Sequence, residues 1–117
     1  MQSRIALARA LITQPELLLD EPFSALYIGL KHELYGLLRQ HIEEQQMTVV
    51  MITHDLIEAV RLADQICVMA LQPGRIIHQL TLSSPHAVRD NHWVYQTTAE
   101  LLQHKKIQQN FFHKAHP

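Results

Sequence analysis

Glycine is scarce in this sequence: three in 117 residues, at Gly29, Gly36 and Gly74. They cannot compose a G-x-x-x-x-G-K-[ST] loop, so the backbone cradle and lysine that hold nucleotide phosphates are missing from it. The single cysteine, Cys67, excludes an internal disulfide framework and suits a reducing compartment. No apolar run approaches the ~18 residues of a membrane span. Arg4 and Arg9 interrupt the apolar residues at the N-terminus, which removes a signal-peptide pattern and makes a soluble cytosolic chain the default. Ten basic against eleven acidic residues leave a net charge of −1, which gives no electrostatic case for a nucleic-acid partner. Lys105-Lys106 is too short a basic run to alter that.

Nine histidines suggest metal at first sight, yet neither a cysteine cluster nor a His-Glu-x-x-His spacing accompanies them. His104, His113 and His116 are read as parts of a solvated tail with adventitious metal affinity at most. Cys67, inside ICVMA, is read as a buried and therefore inert core residue. Trp93, Phe111 and Phe112 are expected to pack a C-terminal helix rather than to build a binding box.

What the sequence does contain is a core. Its hydrophobic share of 47% is that of a globular chain, and its length fits one small domain or part of a larger one. MQSRIALARALIT predicts an amphipathic helix that Gln14-Pro15 ends. Leu17-Leu18-Leu19 is short and apolar and predicts a buried strand. Leu30, Leu34, Leu37, Leu38 and Ile42 form a core stripe on a helix that tolerates Gly36. The β-branched run Thr48 to Thr53, TVVMIT, predicts a second buried strand. HDLIEAVRLAD predicts a helix capped by Asp55, with Glu58 completing a capping pattern.

ICVMA is a third expected strand, and Gln72-Pro73-Gly74-Arg75 a turn into a fourth, RIIHQLTL, that folds back as a hairpin. After Ser83-Ser84-Pro85 the character changes. WVYQTTAELLQHKKIQQNFF predicts a helix, and HKAHP a frayed end. Helix and strand alternate, so the expected class is α/β with a largely parallel sheet, in which chemistry gathers at the carboxyl ends of the strands.

Asp20-Glu21 and His54 fall at two such ends. A carboxylate there can hold Mg²⁺ while phosphates complete the octahedron. A second one can orient or deprotonate an attacking water, and a histidine from the neighbouring strand can donate to a terminal phosphate. The plain alternative is a solvated turn with a satisfied loop histidine, which would be favoured for any isolated LLLDE. Thr53-His54-Asp55 at the end of a second strand shifts the balance toward a phosphoryl-transfer constellation.

These residues carry a family resemblance. LLLDEPFSAL resembles the Walker B segment and D-loop of ABC transporter ATPases, and MITHD resembles their switch-histidine segment. MQSRIALARALITQPELLLDEP is similar to the run from their signature helix into Walker B. EAVRLADQICVMALQPGRII is similar to ATPases of nitrate, sulfonate and taurine importers. The resemblance covers approximately residues 1–80. It implies part of a RecA-like, P-loop NTPase type fold: a mostly parallel sheet with flanking helices and a C-terminal β-hairpin.

By the same resemblance, residues 1–82 are the C-terminal part of an ABC ATPase domain, and 83–117 an extension with a helix and a frayed tail. Asp20 is the magnesium ligand and a cofactor-binding residue, and Glu21 is the general base or water-orienting acid. His54 is the γ-phosphate switch, and Ser24 belongs to the D-loop beside the cofactor. ATP and Mg²⁺ are the implied cofactors. A membrane permease and a second ATPase subunit are the implied partners, with the chain at the inner face of the cell membrane.

Two departures weigh against independent activity. The family carries Asp where Tyr27 stands, and a tyrosine supplies no carboxylate to a D-loop. The phosphate loop and the Leu-Ser-Gly-Gly signature are also absent, so phosphates lack the positioning that dominates phosphoryl transfer. This chain alone is expected to be inactive; the alternative to a truncated ATPase subunit is a catalytically silent remnant or interaction module. Lacking its family neighbour, TVVMIT would present an apolar edge open to self-association.

Overall fold

The computed structural model describes residues 16–69 and 76–104. The helix expected before Pro15, the turn at Gln72 to Arg75 and the tail after His104 lie outside the described residues. The chain divides into two compact units at the boundary between His54 and Asp55.

The first unit is a strand–helix–strand crossover. Strand β1 (Leu17–Asp20) and strand β2 (Val49–Ile52) pair in parallel, with Leu17 beside Val49 and Asp20 beside Ile52. Between them runs helix α1 (Ile28–Gln45), the kind of connection parallel neighbours require. Its C-cap, Gln46, turns left-handed at φ 50, and its surface carries Arg39–Glu43 and Gln40–Glu44 pairs one turn apart. Phe23 and Tyr35, both buried, meet edge to face at 5.1 Å and fasten the turn after β1 onto α1.

Two expectations need correction here. Leu37 is 61% exposed and does not belong to the core stripe. The buried side of α1 centres on Tyr35, and Leu37 lies roughly 140° around the helix from Ile42. The strands are half-buried rather than buried. A parallel strand is enclosed only when both faces and both edges are covered, and among the described residues each has one strand neighbour.

The second unit builds its core from Leu56, Val60, Ile66, Val68 and Val94. Helix α2 (Leu56–Leu62) starts as expected at Asp55, whose carboxylate accepts from the N–H groups of Ile57 and Glu58. Strands β3 (Gln65–Met69) and β4 (Ile76–Thr81) pair antiparallel, with an irregularity between Val68 and Met69. A 3₁₀ turn at His86–Val88 leads to helix α3 (Asn91–Leu102), capped by Asp90 through the Trp93 N–H at 2.8 Å. Trp93 packs against the core, as expected. The helix stops at Leu102, short of the expected stretch, and Gln103 and His104 form a turn.

Cys67 is exposed, contrary to the expectation of a buried thiol. Successive side chains on a strand point to opposite faces, and Ile66 and Val68 occupy the inner one. Among the described residues the architecture is α/β, with one parallel and one antiparallel pair in separate two-stranded sheets. No described helix is long and apolar enough to cross a membrane.

Candidate active site

The end of β1 is shaped by one unusual backbone conformation. Glu21 adopts φ 50, left-handed for a residue with a Cβ, at a local cost of about 1–2 kcal/mol. Three sets of bonds hold it there. Its N–H donates to the Ile52 carbonyl at 2.8 Å, extending the β1–β2 ladder by one residue. Its own carbonyl accepts from the Ser24 hydroxyl at 3.2 Å and the Ser24 N–H at 3.4 Å, closing a turn. Its carboxylate reaches the end of β2, where Oε1 accepts from the His54 N–H at 3.0 Å and lies 2.5 Å from His54 Nδ1.

A carboxylate can only accept, so Nδ1 carries the proton in this contact. Glu21 is largely enclosed, its side chain 18% exposed, whereas the His54 ring is 82% exposed and presents its other edge to solvent. Asp20, level with Ile52, is exposed beside this pair. The structure therefore gathers Asp20, Glu21 and His54 at the carboxyl ends of two parallel strands. Ser24 joins them with its hydroxyl turned to the Glu21 main chain. Tyr27 is 71% exposed just before α1, and its ring lies 3.0 Å from where a Cβ on Gly29 would stand.

Sequence reasoning missed the left-handed turn at Glu21, because nothing in LLLDEPFSAL marks a positive φ at a glutamate. It also missed Arg89 in the second unit. This guanidinium is buried and donates to the carbonyls of Val60, Ala63, Leu82 and Ser84, the shortest bond being 2.6 Å to Ala63. It lies 5.2 Å from the centroid of the Trp93 ring. A lone arginine in PHAVRD carries no periodic signal of such a role.

No family model matches the chain. Curated relatives do match it. The aliphatic sulfonates import ATP-binding protein SsuB of Bacillus licheniformis is 40% identical over 98 residues, covering 83% of this chain and 38% of that protein. The thiamine import ATP-binding protein ThiQ of a Jannaschia species is 45% identical over 91 residues, or 77% of this chain and 38% of its own length. The nitrate import ATP-binding protein NrtD of a Synechocystis species is 42% identical over 86 residues, covering 73% and 32% respectively. These matches support an ABC importer ATP-binding fragment, and the chain spans about a third to two-fifths of the length of the curated relatives it matches.

The side chains at this site fit the implied ATP and Mg²⁺ only in part. An exposed carboxylate at Asp20 is suitable hard-oxygen chemistry for one position around Mg²⁺. Among the described residues, however, no glycine has the positive φ typical of a phosphate nest, and no cluster of three metal-ligating side chains occurs. Among the described residues, the strand ends therefore supply carboxylates but no glycine cradle for a phosphate.

Proposed function

We propose that this stretch supplies the hydrolytic half of the ATP site of an ABC importer subunit, with residues 1–82 the C-terminal part of the ATPase domain and 83–117 its extension. The observation that carries the reading is the meeting of Glu21 with His54, beside Asp20, at the mouth of two parallel strands. In a complete site Asp20 takes one Mg²⁺ position, Glu21 orients or deprotonates the attacking water, and His54 contacts the terminal phosphate. Ser24 fixes the turn that leads into the D-loop. The sheet belongs to a larger, RecA-like parallel sheet in this reading, which agrees with β1 and β2 each having a single strand neighbour among the described residues. The relatives' names support a sulfonate-, nitrate- or thiamine-type uptake system. The partners are a membrane permease and a second ATPase subunit, at the cytoplasmic face of the membrane.

Taken alone, the chain is expected to show no ATP turnover and no Mg²⁺-dependent nucleotide binding in an equilibrium titration. A chimera in which these residues replace the matching stretch of the Bacillus protein tests the roles. It should hydrolyse ATP, and Glu21→Gln should lower that rate by about 10²–10⁴-fold. Magnesium-dependent hydrolysis by the 117 residues alone, or a chimera indifferent to Glu21→Gln, would overturn the proposal.

A further inference from the structure

The turn after β1 leaves Glu21 few backbone choices. Pro22 follows it, and a proline ring disfavours the right-handed helical region for the residue before it. An extended Glu21 would carry the chain onward, whereas the observed φ of 50 folds it back. In that folded-back course the Ser24 hydroxyl and N–H reach the Glu21 carbonyl, and the Leu26 N–H reaches the Phe23 carbonyl at 3.1 Å. The Ser24 hydroxyl bond is exposed to water, so it selects the left-handed course only weakly.

Phe23 is the stronger selector. It is the one buried residue between Glu21 and α1, and its ring meets that of Tyr35, the one buried residue of α1. The ring planes are 88° apart and their centroids 5.1 Å apart. Burying a phenylalanine ring in an edge-to-face contact returns more free energy than one left-handed residue costs.

We propose that Tyr35 is a positioning residue for the Glu21 carboxylate and acts on it through Phe23, an inference that rests on the reading of Glu21 as the water-orienting acid. Tyr35 presents its ring from the middle of α1, and Phe23 is seated on it. The single residue between Phe23 and Glu21 is a proline with a locked φ, so the linkage has little slack. The seat therefore holds Glu21 left-handed and sets Oε1 against the end of β2, where it accepts from the His54 N–H at 3.0 Å. Without an aromatic ring at residue 35 the turn relaxes, Glu21 becomes extended and its carboxylate leaves the end of β2.

Amide hydrogen exchange on the full 117-residue chain reads this position without reference to activity. Tyr35→Leu should lower the protection of the His54 and Ser24 amides roughly tenfold. The Leu17 amide, bonded to the Thr48 carbonyl at the far end of the strand pair, should stay within about twofold of the parent. Tyr35→Phe should keep the parent pattern, Phe23→Leu should reproduce that of Tyr35→Leu, and the double variant should be no worse than either single one. In the chimera with the Bacillus protein, Tyr35→Leu should lower kcat by about 10–10²-fold with KM for ATP within about twofold, and Tyr35→Phe should keep the parent kcat. Unchanged protection at His54 in Tyr35→Leu overturns the positioning role, as does an equal loss at Leu17, damage by Tyr35→Phe of the same size, or a change confined to KM. A chimera indifferent to Glu21→Gln overturns instead the reading of Glu21, with the exchange pattern intact. If Tyr35→Leu fails to fold, the exchange pattern of Phe23→Leu decides.

Discussion

His54 holds Glu21 twice through one oxygen: its main-chain N–H donates to Oε1 at 3.0 Å and its ring Nδ1 lies 2.5 Å from the same atom. The first of these bonds belongs to the backbone and survives any substitution at His54, other than proline, that leaves β2 in place. Glu21 therefore joins the ends of two strands as well as presenting an acid, and its own backbone is left-handed to do so.

That geometry separates two effects at one residue. Glu21→Ala and Glu21→Gly both delete the carboxylate and its bonds to His54. Alanine keeps the steric cost of φ 50, whereas glycine does not. The glycine variant is expected to be the more stable of the two by about 0.5–1 kcal/mol, after allowing for the greater freedom of glycine in the unfolded chain. Urea unfolding of both variants measures the difference, and an alanine variant as stable as the glycine one would contradict it.

Arg89 is the polar centre of the second unit. The carbonyls of Val60 and Ala63 end α2, where a cation complements the helix dipole, and Leu82 and Ser84 lie on the segment leading from β4 to α3. Arg89→Met should cost about 3 kcal/mol, because it strands buried carbonyls that a thioether cannot satisfy. Arg89→Lys should recover less than half of that loss, since one ammonium cannot reproduce the planar fork. Denaturant titration read from Trp93 fluorescence provides the comparison; a fully restored lysine variant would show that charge alone matters.

Cys67 combines exposure with a pKa raised by partial desolvation of its thiol. Iodoacetamide should label the folded chain, yet more slowly than the urea-unfolded chain at the same pH, and faster as the pH rises. The stability contribution follows the same sign. It is fully present below the unfolded-state pKa and is lost as pH rises through the higher folded-state one. Faster labelling of the folded chain than of the unfolded one would reverse this assignment.

Much of the site was legible in the residues. LLLD followed by Glu21, and MIT followed by His54, announce two strand ends bearing acids and a histidine, and β1 and β2 place those ends side by side. The cap at Asp55 and the β3–β4 pairing were equally readable, because both depend on local patterns. Leu37 and Cys67 were misread for one shared reason. Periodicity says which residues lie on one face but not how wide the covered arc is, nor which face of a strand meets the core.

The sequence by itself determined the order of strands and α-helices among the described residues, the acids and histidine at the strand ends, and the absence of a phosphate loop. Those features follow from side-chain chemistry, spacing and composition within short windows. Tertiary structure alone decided that Glu21 turns left-handed toward His54, that Arg89 joins four carbonyls, and that His104 stacks on His78. Each of these arises where chain segments distant in sequence are brought together, and no local propensity encodes the resulting contact.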